Sequence, residues 1–155
     1  MGERRIEFEL EDVPKVAREL LGMIRFQTDR PIVIGFSGGL GMGKTTLIRE
    51  LVGGLGAVPE VTSPTFDLIH VHDYEGGIVV HADLYRLTDK DVRSLDLEHY
   101  LHNGTTLMVL EWPERAPEFG VDIEVCITAV GPTRRCLEIM FKNLKIWEAA
   151  KQEFI

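Results

Sequence analysis

The chain has 155 residues, 45% of them apolar, with 17 Lys and Arg against 25 Asp and Glu and a formal net charge of −8. That length suits one core, so one domain over residues 1–155 is expected, and the acidic balance speaks against a protein that grips nucleic acid by itself, because phosphate neutralisation needs a basic face. No apolar run approaches the ~20 residues that span a bilayer, the start through Glu7 and Glu9 is too acidic for a secretory leader, and Met1-Gly2 is followed by Ile6 where myristoylation needs Ser or Thr; a cytoplasmic protein with no membrane or DNA partner is expected.

Ile6, Phe8 and Leu10 alternate with Glu7, Glu9 and Glu11, the period of a half-buried strand. Asp12 is placed to cap a helix with Pro14 in its first turn and Val13, Val16, Ala17, Leu20, Leu21 and Ile24 along one face. Ile32–Phe36 reads as a buried strand, Gly38–Gly43 as a turn, and Lys44 to Gly56 as a second helix burying Leu47, Ile48, Leu51 and Val52. Ala57–Thr65 reads as a loop. Phe66–His72 and Ile78–Leu84 are β-like around a turn at Asp73–Gly77. Thr88 and Asp91 open a helix that should run to about Leu101, since Thr-x-x-Asp is a capping-box pattern. Leu107–Leu110 is a buried-type strand, Pro113–Phe119 a loop, and the segments Ile123–Ile127 and Cys136–Phe141 form strands about a Gly131-Pro132 turn, before a short helix from Asn143. Cys126 and Cys136 can face each other across that hairpin, but in a reducing compartment they read as two small buried side chains. The pattern is that of an α/β fold with some antiparallel pairing.

Gly38-Gly39-Leu40-Gly41-Met42-Gly43-Lys44-Thr45 fits G-x-x-x-x-G-K-[ST], a match expected by chance in on the order of one in two hundred chains this long. A strand precedes it and an amphipathic helix follows, which is the context the chemistry needs. Glycines let backbone N–H groups converge on phosphate oxygens, and the helix turns its positive end toward them. Lys44 would meet the β- and γ-phosphates and Thr45 would bind Mg²⁺. The bland alternative is a glycine-rich turn with an incidental lysine.

Two carboxylates close apolar strands: Asp83 after Ile78–Ala82 and Glu111 after Leu107–Leu110. Strand ends of this kind present ligands in open α/β sheets. Asp83 suits the metal; Glu111, one carbon longer, suits the metal or the attacking water. The bland alternative for each, a solvated strand end, loses ground behind a glycine loop of this kind. Ser63-Pro64-Thr65 follows the Lys44 helix, and Thr65 is either a metal-reaching switch residue or part of a plain turn. Asp73-Tyr74-Glu75-Gly76 fits D-x-x-G but precedes a strand, so it reads as a hairpin turn, and no guanine-reading N-K-x-D occurs. His70 with His72, and His99 with His102, have metal-pair spacing without a third ligand, which favours ordinary histidines.

Taken in order, Gly38–Thr46, Ser63-Pro64-Thr65, His81-Ala82-Asp83-Leu84-Tyr85-Arg86-Leu87, Leu97-Glu98-His99-Tyr100-Leu101 and Glu111-Trp112-Pro113-Glu114-Arg115 resemble the TsaE (YjeE) family of P-loop ATPases in bacterial tRNA threonylcarbamoyladenosine biosynthesis. The resemblance runs from about Ile6 to Phe141. It implies a P-loop NTPase-like three-layer sandwich with a mainly parallel central sheet and antiparallel hairpins. It also implies a Mg²⁺-dependent ATPase, slow alone, yielding ADP and acting on a TsaB–TsaD pair that modifies adenosine 37 of tRNA, so that tRNA is met only through the complex and the pair can turn over repeatedly. By position, Gly38, Gly39, Leu40, Gly41, Met42, Gly43, Lys44, Thr45, Thr46, Thr65 and Trp112 match nucleotide-contacting residues. Thr45, Asp83, Thr65 and Glu111 match those near the metal, and Glu111, Lys44 and Asp83 match the catalytic set. Gly39 stands where the family commonly has Asp, and Asp96 and His99 replace a common Gly and an acidic residue. Two other readings of the site are a small-molecule kinase, with Arg86 as the arginine to watch, and a module that senses ATP without hydrolysing it. Trp112 can stack on a base or pack under the glycine loop, and packing is the simpler expectation.

Overall fold

The structure, a computed structural model, describes residues 2–24, 30–59, 68–101 and 104–151. Among these residues eight strands are formed: β1 (Glu3–Glu9), β2 (Ile32–Ser37), β3 (Val58–Pro59), β4 (Ile69–Tyr74), β5 (Gly77–Asp83), β6 (Thr105–Glu111), β7 (Ile123–Ala129) and β8 (Arg134–Phe141). They form one sheet in the order β1-β8-β7-β2-β6-β5-β4-β3. The inner strands β7-β2-β6-β5 run parallel, and antiparallel pairs flank them on both sides. The helices are α1 (Val13–Met23), α2 (Lys44–Gly54), α3 (Asp89–Ser94) and α4 (Leu144–Ala150).

Strand alternation divides the apolar residues into two cores, one on each sheet face. Ile32, Ile34 and Phe36 of β2 point toward Leu20 of α1, Leu47 and Leu51 of α2 and Ile146 of α4, all fully buried. Val33 points the other way, to Val80, Leu110, Val92 and Leu97. Helices and turns therefore cover a two-sided sheet, the expected three-layer arrangement. Asp122, just before β7, ties the layers together. It accepts from Val33 N at 2.8 Å, from Arg30 Nη2 at 2.7 Å and from Asn143 Nδ2 at 3.1 Å, while Asn143 Oδ1 caps α4 by accepting from Lys145 N and Ile146 N.

Some expectations needed correction. Asp12 makes no side-chain cap on α1, because a 3₁₀ turn over Leu10–Asp12 runs directly into the helix and Asp12 lacks the extended backbone a capping side chain needs. Thr88 and Asp91 do form a capping box, with Asp91 N donating to Thr88 Oγ1 at 3.2 Å and Thr88 N to Asp91 Oδ2 at 3.3 Å. The helix nevertheless stops at Ser94. Asp96 sits at φ +48°, and a 3₁₀ segment follows over Leu97–Leu101; aspartate is among the few side chains that tolerate this left-handed region. Val58–Pro59, expected as loop, pairs with His72 and Asp73 of β4. Asp73–Gly76 is indeed a hairpin turn, since Tyr74 pairs with Gly77. At Gly77 (φ +145°) a Cβ would come within 2.6 Å of Thr106 Cγ2 and 2.8 Å of the Gly104 carbonyl oxygen, so glycine is required. Cys126 and Cys136 are two register positions apart instead of opposite, and both are free. Cys136 is buried, which pushes its thiol upward, whereas Cys126 is only half-buried. No helix among the described residues is long and apolar enough to cross a membrane.

Candidate functional site

β2 ends at Ser37 and the chain turns through the glycine loop before α2 starts at Lys44. Gly38, Gly41 and Gly43 have φ of +131°, +76° and +102°. A Cβ at Gly38 would also collide with the carbonyl oxygen of Ile127, while beside Gly41 there is open space within 4 Å. The loop is thus left-handed at three positions that favour glycine and open toward solvent at its crest. α2 presents its N-terminus there, with Lys44 and Thr45 in the first turn.

Lys44 is buried (6% exposed). Its ammonium donates to the carbonyl oxygens of Gly38 and Gly39, and it lies 4.1 Å from the centroid of the Trp112 ring. Trp112, with φ +60°, follows directly on β6 and rests on Tyr85, with ring centroids 4.8 Å apart. Trp112 therefore packs beside the lysine.

Register brings the acids to the same place. Phe36 of β2 and Asp83 of β5 both pair with Glu111 of β6, so the ends of three parallel strands line up under the loop. Glu111 shares a sheet face with Val109 and points toward α2. Its Oε1 accepts from Thr45 Oγ1 at 3.0 Å and its Oε2 lies 2.8 Å from His81 Nε2. Burial alone would push this carboxyl up. The His81 hydrogen bond and charge, the Thr45 hydroxyl and the Lys44 charge more than offset that, so Glu111 is held below its ordinary value. Asp83 turns one oxygen to Tyr85 N at 3.1 Å.

The glycine loop, Lys44, Thr45, Thr46, Asp83, Glu111 and Trp112 border a cavity of about 340 Å³. The arrangement can hold an anion on loop amides and an ammonium, and a divalent cation beside a hydroxyl and a carboxylate. Among the described residues there is no cluster of three or more His, Cys, Asp or Glu that could hold a metal unaided, which includes the His70–His72 pair. His102, Ser63, Pro64 and Thr65 lie outside the described residues. Arg86 is exposed and does not border the cavity. Reading the sequence gave His81 no role of its own, although it lies two residues before Asp83 on the same face. It also passed over Arg135, whose Nε donates to the carbonyl oxygen of Met42 in the loop at 3.2 Å.

A parallel core sheet, a glycine turn at the end of its central strand and a helix opening on Lys-Thr define an α/β protein of the P-loop NTPase-like class. The chain belongs to the TsaE family: the family model "Threonylcarbamoyl adenosine biosynthesis protein TsaE" matches residues 9–136. Curated relatives bearing the name tRNA threonylcarbamoyladenosine biosynthesis protein TsaE include those of Haemophilus influenzae, 33% identical over 60% of this chain and 59% of that protein, and Nostoc sp., 44% identical over 55% and 54%. The protein from Synechocystis sp. is 34% identical over 76% of each chain. The matched stretch thus spans little more than half the length of the first two. A crystal structure of Bacillus subtilis YdiB superposes with a TM-score of 0.70, covering 100% of this chain and 99% of that one; at 20% identity it speaks to the fold alone.

Proposed function

We propose that the protein binds and slowly hydrolyses ATP with Mg²⁺ as a single-domain accessory subunit in the cytoplasm, and that its nucleotide state governs its action on a TsaB–TsaD pair in tRNA threonylcarbamoyladenosine biosynthesis. The observation that carries the reading is the convergence of Lys44, Thr45 and Glu111 on one cavity at the end of β2. Family membership supplies the pathway, and the acidic net charge of −8 fits contact with tRNA through partners instead of directly.

Bound Mg²⁺ would neutralise charge on the β- and γ-phosphates. Lys44 would exchange the carbonyl oxygens of Gly38 and Gly39 for phosphate oxygens, leaving its place on Trp112 as the sensor of that exchange. The Thr45 oxygen can ligate the metal while its O–H keeps donating to Glu111. A carboxylate held below its ordinary value is a weak base, so Glu111 is better suited to orienting water or a metal-bound ligand than to removing a proton. Asp83 stands beside it on the neighbouring strand as the second acid.

Turnover of purified protein, alone and with TsaB–TsaD, tests the proposal. A low basal rate stimulated by the pair, and lost in Lys44→Ala, is expected. Stimulated turnover that survives Lys44→Ala would overturn the site, and ADP release that requires an added acceptor hydroxyl would favour a kinase. Wild-type protein that binds ATP without turnover, so that Glu111→Gln changes nothing, would favour a sensing module.

A further inference from the structure

Along β8, Leu137, Ile139 and Phe141 point into the core under α1 and α2, each fully buried. Arg135 begins the same alternating stripe and is itself 8% exposed, at a position where an aliphatic side chain would continue the pattern. Among the described residues no carboxylate lies within ion-pair distance of it. Among those residues its guanidinium is held by carbonyl oxygens: Nε donates to Met42 at 3.2 Å, and Nη1 donates to Gly131 at 3.2 Å and to Arg134 at 3.1 Å. A buried charge that meets only neutral acceptors is unfavourable to folding, so packing does not account for it.

The Met42 contact gives the charge a use. A trans peptide points its C=O and the following N–H in opposite directions. Holding the Met42 oxygen toward β8 therefore turns the Gly43 N–H the other way, at the residue that caps α2 with φ +102°. We infer that Arg135 is a positioning residue for phosphate binding: it fixes the Met42–Gly43 peptide from behind and leaves one positive charge to be neutralised when a polyphosphate occupies the loop. This rests on the nucleotide reading above and adds to it a residue from two strands away, outside the glycine motif.

The test compares wild type, Arg135→Met, Arg135→Lys and Lys44→Ala by equilibrium binding of ATP with Mg²⁺. Amide hydrogen exchange across Leu40–Lys44 is followed in the nucleotide-free protein. The expected result is an ATP affinity about tenfold weaker in Arg135→Met, near-wild-type affinity in Arg135→Lys, and faster loop exchange in the Met variant alone. Should the Met side chain not be tolerated, Arg135→Leu, which likewise removes both the donor to Met42 and the charge, makes the same contrast with Lys. Wild-type affinity and exchange in the neutral variant, or no rescue by Lys, would overturn the role of Arg135. Binding lost in Lys44→Ala but untouched by Arg135 changes refutes only this inference; binding indifferent to Lys44→Ala refutes the nucleotide reading itself.

Discussion

Replacing His81 by Phe removes one of the two side-chain hydrogen bonds to a carboxylate that is 3% exposed. The ring volume is kept, and so is the neighbouring His70 ring at 5.9 Å. A hydrogen bond to a buried charge contributes about 1.5–3 kcal/mol. Complete loss of a buried partner would cost ~3–5 kcal/mol, but Thr45 and Lys44 stay in place. A loss of roughly 2 kcal/mol at neutral pH is therefore expected, or about 4–8 °C in Tm for a chain of this size. The sign of its pH dependence follows from Glu111. In the wild type the folded-state carboxyl is held below its unfolded value, so its contribution is complete above the ordinary carboxylate range and fades as pH falls through the depressed value. In the variant, burial acts with less opposition, the carboxyl moves up, and ionisation becomes destabilising as pH rises. The gap between the two proteins should shrink from pH 6.0 toward pH 4.5, as Glu111 loses its charge. Thermal unfolding at pH 7.5, 6.0 and 4.5 measures it; an equal gap at all three values, or none, would refute the electrostatic account of the His81–Glu111 pair.

Asp122→Ala should be more damaging than any surface ion-pair change. It leaves the buried Val33 N–H without its acceptor and releases Arg30 and Asn143, a loss of about 3 kcal/mol by urea unfolding. Thr88→Ala removes the capping box of α3 and should cost about 1 kcal/mol, seen as faster amide exchange over Asp89–Ser94 with little change in ATP affinity. Because Lys44 sits 4.1 Å from the Trp112 ring, ATP with Mg²⁺ should change tryptophan emission in the wild type. Trp112→Phe should abolish that change, with Trp147, packed on Phe141, left as a constant background.

Much of this site was legible because its signals are local. Gly38–Thr45 carries its own turn and helix start, and the apolar runs before Asp83 and Glu111 announce strand ends. What escaped is set by register. That Asp83 pairs with Glu111, so that His81 stands beside the Glu111 side chain, depends on how β5 lies against β6. Likewise the Arg135–Met42 contact joins residues 93 apart in sequence. The alternation of β8 from Leu137 to Phe141 held a usable clue, since an arginine on the apolar side of a strand needs a reason. The stop of α3 at Ser94 was harder to see: Thr88 to Leu101 keeps helical spacing, and only the left-handed Asp96 interrupts it.

The central claim is that the loop before α2 and Lys44 hold a triphosphate. Isothermal titration of wild type and Lys44→Ala with ATP in excess Mg²⁺ tests it most directly. Saturable one-to-one binding in the wild type, weakened about a hundredfold (~2.7 kcal/mol) in the variant, is predicted. No binding to the wild type, or equal affinity in both proteins, would contradict it.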